Sequence, residues 1–398
     1  MKSDEEIHEH ITDELLSEEL NLRLIPNSIK EEARRIASKF NELKEVIERA
    51  NKALRERCST PTIPYIGRLP KRYPKRMCAL AIDTSFTSPP IELTGGRLGI
   101  IYRVAVQFGS CGSKVLDSSA MIKFIDEGEK IIALYSKIAE REYVYEILTK
   151  VVSGEYSFDI IIIDGELIPR VPPGALIGKS RGGTTPKLYE KLVKLTNNIL
   201  ELADKEGILV TGILKRVYGR DTQVLLGDPS LDISDKALSS YILRNGEYIN
   251  LGTYVDIVNA YEDFLHKYKE YEDRLRQRFR WMKNAVRHLP LASAINVVIY
   301  KPLIKTYFSI PTKIEIQLSG EYMLDEVVAY LSSITSVNGV PFPIDIVDRL
   351  SRVRREILFI AQQSLYSLLT RLLGDSKLAL SIIGLTNPEK MRSVGFKG

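Results

Sequence analysis

The chain has 398 residues, more than one usual hydrophobic core, so two intimately packed subdomains are expected. Apolar residues make up 44% and charged residues 27%, which excludes a disordered or collagen-like chain and fits a folded protein. Lys and Arg number 56 against 51 Asp and Glu, a net charge of +5 that is compatible with nucleic acid without demanding it.

Residues 1–20 are charged and unlike a secretory leader, and the apolar runs are short and interrupted. The expected location is the cytoplasm, with no membrane partner. The three cysteines form no CxxC pair, and an odd number argues against a disulfide framework. Only four histidines are present, so a histidine-rich zinc site is not expected, and carboxylates would suit magnesium or manganese. Abundant tyrosine, 20 residues, hints at a heat-adapted source.

Residues 1–74 read as a helical region followed by a basic linker. Pro26-Asn27-Ser28 looks like a helix start, with Ser28 as cap and Glu31 at the capping-box spacing. Ile29, Ala33, Ile36, Phe40, Leu43 and Ile47 then recur in steps of four and three, the pattern of a packing or dimerisation seam. Residues 59–76 hold four prolines and must be largely extended. Their cations, Arg72 and Arg76 among them, either approach phosphates or form a solvated linker.

Residues 75–255 read as the core. Two apolar runs, 78–85 and 158–166, each read as a buried strand delivering an aspartate, Asp83 and Asp164. Taken singly, each Asp could merely cap a turn. Between the runs lie strands at 100–108 and 114–124, pairing as a hairpin, and a helix over 130–152 that carries Glu140, Glu142 and Glu146. This order is that of a ribonuclease H-like mixed α/β sheet flanked by helices, which assembles carboxylates around divalent metal. Glu142 and Glu146 share one side of the helix, so one of them meets Asp83 and Asp164, or both face solvent. Arg97 closes the loop after Asp83 and is placed to touch a phosphate.

Lys179 and Arg181 sit in a glycine-rich basic loop, 174–185, that lacks a P-loop setting and reads as DNA-touching. A helix over 184–206 and a strand over 208–213 lead to Lys215 and Arg216, on the same sheet rim as the aspartates. There Lys215 either orients a scissile phosphate or is a salt-bridged edge residue. Residues 256–290 form a basic helical region. Between His266 and His288, eight cations against three acids leave five excess positives, interleaved with Tyr268, Tyr271, Phe279 and Trp281. Such a stretch, with Arg276, Arg278 and Arg280, is either a nucleic-acid channel wall or a solvated helix. Residues 291–398 complete the domain with strands at 295–300, 307–310 and 315–318 and a helix running to about 373. Asp345 and Asp348 fall in the first turns of that last helix, where they favour its dipole or reach a metal.

The order of blocks over 75–373 resembles the archaeal and bacterial NurA-type nucleases, which work with the HerA hexameric DNA translocase in DNA end resection. The family's first Asp-Gly-Ser is matched by Asp83-Thr84-Ser85, with Thr in place of Gly, and the later one by Asp164-Gly165-Glu166. The helix glutamate is matched by Glu146, with Glu142 as the alternative register, and the basic strand end by Lys215. The family's Tyr-Pro followed by His reads Phe342-Pro343 and then Asp348. The resemblance implies a homodimer with a DNA-threading channel and a manganese-dependent 5′–3′ exonuclease and single-strand endonuclease acting on DNA ends. It assigns Asp83, Glu146, Asp164 and Asp348 to the metal (manganese, with magnesium as the alternative) and Lys215 to catalysis, with Glu142 and Asp345 as alternates. Two other readings are a non-catalytic DNA-binding adaptor of a translocase and a different ribonuclease H-like nuclease.

Overall fold

The computed structural model describes residues 4–74, 76–88, 90–93, 96–125, 130–172, 175–176, 184–215, 219–269, 273–303, 310–353 and 355–383. A long helix, α1 (Asp4–Glu56), leads to strand β1 (Tyr65–Arg68). Then come β2 (Cys78–Phe86), β3 (Ile91–Leu93), β4 (Gly96–Gly109), β5 (Lys114–Ile125), helix α2 (Lys130–Val152) and β6 (Ile160–Asp164). Helix α3 (Thr184–Lys205), β7 (Leu209–Leu214), α4 (Asp221–Leu226), α5 (Asp235–Ile242) and β8 (Glu247–Thr253) follow. The described residues continue with α6 (Tyr254–Lys267), α7 (Asp273–His288), β9 (Ile295–Tyr300), β10 (Thr312–Gln317), α8 (Leu324–Ser333), α9 (Phe342–Ser351), α10 (Arg355–Leu373) and α11 (Ser376–Ile383).

Among the described residues, ten strands form one mixed sheet, ordered β1-β8-β9-β10-β7-β6-β2-β4, with β3 and β5 both on β4. Within it, β5, β4 and β2 are antiparallel neighbours, and β6 and β7 run parallel to β2. That is the ribonuclease H-like arrangement expected from the order of blocks. The central strands read as continuous apolar runs because both of their faces are covered. Leu80, Ile82, Ile161 and Ile163 face a core shared with the end of α1 and with α2, α3, α5, α6 and α7. Ala79, Ala81, Ile160 and Ile162 face the opposite core, under α8 and α9.

Several elements differ from expectation. Helix α1 does not begin at Ser28; it runs on through Pro26-Asn27-Ser28. Its apolar stripe is only half used. Ile29 and Ile36 are 62% and 48% exposed, and burial starts at Ile47, Ala50 and Leu54, where the helix meets the core. The proline-rich stretch contributes an edge strand, β1, and the turn at Asn245-Gly246 leads into β8, which pairs with it. The single long C-terminal helix is two, α9 and α10, and the break lets α9 lie across β2 and β4. The strand expected at 307–310 falls mostly outside the described residues, and Ile310 is not in a strand.

Cys78 and Cys111 form a disulfide, against the expectation drawn from an odd cysteine count; the third, Cys58, is exposed and free. The antiparallel register sets Cys78 opposite Gly109, so the turn after β4 brings Cys111 back to it. A bond across 33 residues removes loop entropy worth about 3–4 kcal/mol in the chain-entropy account. Among the described residues, no helix is long and apolar enough to cross a membrane.

Candidate metal centre

The site is built at the carboxyl ends of parallel strands, the rim where open α/β sheets place their ligands. Ile82 pairs with Ile163 in the parallel register of β2 and β6. The next residue on each strand is therefore an aspartate, and neighbouring strands lie about 4.8 Å apart. Asp83 and Asp164 are adjacent by construction. Asp164 is followed by Gly165 at φ +108°, a conformation that side-chain-bearing residues rarely adopt. The turn it makes passes over β7, where a Cβ on Gly212 would lie 2.6 Å from the Leu167 nitrogen. Two glycines thus fix where Asp164 ends and where Glu166 begins.

Asp348 arrives from α9. One ligand oxygen from each of Asp83, Asp164 and Asp348 lies within 4.8 Å of the others. Ser351, three residues along and hence on the same side of the helix, donates its hydroxyl to Asp83 Oδ2. Ser85 in turn donates to the Ser351 carbonyl, so α9 is pinned to β2 at the site. Lys215, just beyond β7, places Nζ 2.6 Å from Asp164 Oδ2 and 3.5 Å from Asp348 Oδ2. An ammonium group therefore sits where the carboxylates converge.

The electrostatics are those of anions crowded out of water. Burial raises the Asp83 carboxyl, partly offset by the Ser351 hydrogen bond and by Lys215. Burial and then Asp83 push Asp164 up to about 7. Burial alone would lower Lys215, but Asp164, Asp348 and Asp83 overcome it and hold the ammonium protonated. Such a set fits a hard divalent cation. Its donors are all oxygens, as magnesium and manganese prefer, and Lys215 and Arg352 offset only part of the charge of three carboxylates.

The helix glutamates expected at the site, Glu146 and Glu142, are engaged elsewhere. Glu146 pairs with Lys150 at 2.7 Å on an exposed face, and Glu142 pairs with Lys191 at 2.5 Å. Neither joins the cluster. Glu140 is the buried one, 4% exposed, and it feels both Asp83 and Asp164. Burial, only partly offset by Arg141, pushes Glu140 up to about 8. Arg141 Nη1 donates to Glu140 at 2.9 Å and Nη2 to the Glu166 carbonyl at 2.6 Å. Only the helical register separates the three glutamates, once the cleft-facing side of α2 is known. Lys130, Ala133 and Lys137 line the cleft at helical spacing, and Glu140 continues that stripe, whereas Glu142 is about 200° round the helix from Glu140.

Other expected residues scatter. Asp345 accepts from Ser336 Oγ and, at 3.2 Å, from Asn338 Nδ2, so it caps the preceding turn and not the metal cluster. Arg97 lies on β4 seven residues from Val104, the partner of Asp83, or about 23 Å along the strand, too far to share a phosphate with it. Arg278 is tied to buried Asp221 at 2.6 Å and belongs to a structural ion network with Lys313 and Asp235. Arg276 donates to the Lys269 carbonyl, and Arg280, Arg72 and Arg76 are exposed. Lys179, Arg181 and Arg216 lie outside the described residues. Thr84, where the motif has glycine, receives a 2.9 Å hydrogen bond from Ser136 Oγ and so ties β2 to α2. Phe342 packs its ring on Phe108, with centroids 5.9 Å apart.

The three aspartates open on a cleft of about 1050 Å³. Lys130, Lys137, Arg170, Lys215 and Arg352 line it, together with Trp281. The carboxylates Asp83, Asp164, Glu166 and Asp348 share this lining with those cations, which suits a ligand that brings both phosphate and metal.

The family model for the NurA domain matches residues 79–353. No curated protein sequence matches the chain. Among solved structures, the NurA nuclease from Sulfolobus solfataricus is 15% identical over 85% of this chain and 98% of that one, with a TM-score of 0.49. A structure of NurA bound to dAMP and manganese is likewise 15% identical, over 88% and 98%, with a TM-score of 0.47. Human ENDOV is 10% identical over 72% and 86%, at 0.35.

Proposed function

Since the chain belongs to the NurA family, whose domain it matches over residues 79–353, we propose that it is a manganese-dependent deoxyribonuclease, with magnesium as an alternative cofactor. The observation that carries this reading is the convergence of Asp83, Asp164 and Asp348 to within 4.8 Å in a cleft that Lys130, Lys137, Arg170, Lys215 and Arg352 also line. Asp83, Asp164 and Asp348 hold the ion. When bound, a divalent metal supplies a nucleophile at neutral pH and stabilises charge on the leaving oxygen.

The chain's own groups do the rest. Lys137, Arg170 and Arg352 on the cleft walls hold the strand's phosphates and set its path over the aspartates. Lys215 keeps a positive charge beside Asp164 and Asp348, close to where charge develops on the phosphate. Glu140, held protonated near neutral pH by its burial and clamped by Arg141, limits the negative charge that Asp83 and Asp164 feel.

We assign the activity to 5′–3′ exonuclease and single-strand endonuclease action in end resection for double-strand break repair, with a HerA-like hexameric ATPase as partner. This finer reading rests on the motif resemblance. A homodimer belongs to the same reading. Exposed Ile360, Leu368 and Leu372, at 62%, 55% and 80%, give α10 apolar surface for a second copy to cover.

Cleavage of single-stranded and end-bearing duplex DNA with manganese tests the proposal. Asp83→Asn and Asp164→Asn should each lower the rate by at least about a hundredfold, with DNA binding and circular dichroism retained. Wild-type rates in both variants would dissolve the site. A wild-type protein that binds DNA but never cuts it would be the adaptor instead.

A further inference from the structure

A second cavity, of about 200 Å³, lies against the metal cleft. Glu166, Arg170, Leu214 and Trp281 line both, so they form the wall between them. Glu166 is two residues from Asp164. That backbone distance is at most about 7 Å, close to the spacing of consecutive phosphates in an extended strand. Whatever occupies this cavity is therefore a neighbour of whatever binds the metal.

Its lining defines the ligand. Helix α7 contributes Arg274, Gln277, Arg278 and Trp281, which recur at helical spacing and so share one face. Tyr254 adds a second aromatic residue, and Lys313 and Glu315 stand on β10. Lys313 and Arg278 are committed to Asp221, and Glu315 accepts the Leu167 and Ile168 amides at 2.7 and 2.9 Å. These charged side chains make an apolar ligand a poor fit. The mouth offers a partly exposed indole, an exposed amide and exposed Arg274. The volume is below the ~300 Å³ at which pockets for drug-sized ligands begin, enough for one planar heterocycle and not a whole nucleotide. An aromatic plane, a hydrogen-bonding amide and a cation make up the set that single-strand readers use for one base and its phosphate.

Resting on the nuclease reading above, we propose that this cavity takes the base of the nucleotide adjoining the scissile phosphate. The base stacks on Trp281 within reach of Gln277, and Arg170 and Arg274 hold the flanking backbone. An unpaired base enters such a cavity, and a base still paired in a duplex does not. The cavity thus makes single-strandedness at one position a requirement for productive binding.

Trp281 is the only tryptophan in the chain, so its fluorescence reports on this site alone. Titrate the full-length protein, in chelator to prevent turnover, with a short single-stranded oligonucleotide and with copies carrying one abasic residue at successive positions. The expected result is a saturable change in Trp281 emission that one abasic position abolishes. With manganese, Trp281→Ala should lose about five- to a hundredfold in kcat/KM on the intact strand, chiefly through KM. Trp281→Phe should recover most of it. Trp281→Ala and wild type should converge on the substrate abasic at that position. Emission that stays constant at saturation, or an equal abasic penalty in wild type and Trp281→Ala, overturns the proposal. A free deoxynucleoside monophosphate that acts at lower concentration than the oligonucleotide also overturns it, in favour of a separate effector site. The fluorescence arm needs no cleavage, so its failure is distinct from a failure of the nuclease reading, which would show as a wild-type protein inactive with manganese.

Discussion

At the residue scale, the buried acids make the site proton-sensitive. Asp164 is raised from 3.8 to about 7 and Glu140 from 4.5 to about 8, both chiefly by burial. A folded pKa above the unfolded one means that the native state binds protons more tightly than the unfolded chain. For the metal-free protein, this contribution to stability is whole below about pH 4. It is lost as pH rises through 7 to 8, the folded values of Asp164 and Glu140. A divalent cation competes with those protons. Manganese should therefore raise Tm little at pH 5.5 and progressively more towards pH 8, and Asp164→Asn should flatten that trend. Thermal scans with and without metal across this range make the measurement, and a metal-induced gain independent of pH would contradict the assignment. The candidate acids differ in how strongly the sequence marks them out. Asp83 and Asp164 announce themselves because each ends an apolar run. Glu140 does not, because three glutamates share α2 and only the direction of the cleft-lining stripe separates them.

At the scale of elements, α7 shows how composition misleads about role. Its run of arginines reads as one basic surface, but the helix divides them. Arg280 is exposed, whereas Arg278 turns inward to Asp221, whose side chain is only 1% exposed. Burial alone would raise Asp221; Arg278 and Lys313 overcome it and hold the carboxylate well below its ordinary range. The network joins α4, α5, α7 and β10, and Tyr261 of α6 donates to the same carboxylate at 2.8 Å. Partners 57 and 92 residues apart leave no local pattern to read. Arg278→Ala should thus cost about 1.5–3 kcal/mol of stability and leave the salt dependence of DNA binding as it is. Arg280→Ala should leave stability within about 0.5 kcal/mol. Urea unfolding and affinity measured across salt concentrations separate the two, and a reversal of these effects would restore the simple basic-face reading. The same limit explains the break between α9 and α10, which serves the approach of Ser351 and Asp348 to β2 rather than any helix-stop residue.

At the scale of the whole molecule, the β5-β4-β2-β6-β7 order was legible because buried parallel strands and an amphipathic hairpin carry strong patterns. Strands β3 and β8, short or embedded among turn residues, do not. The Cys78–Cys111 bond is invisible to a cysteine count because it depends on the antiparallel register of β2 and β4. The closure of the site is the least local feature of all. Ser351 and Asp83 are 268 positions apart and meet only because α9 lies across the sheet. The metal site depends on that meeting, since without α9 the rim offers two aspartates instead of three. The most direct measurement is a crystal of the protein grown with manganese, with diffraction recorded at the manganese absorption edge. The account predicts an anomalous peak bounded by Asp83, Asp164 and Asp348, absent from Asp83→Asn crystals. A peak held by other side chains, or none at saturating metal, would contradict it.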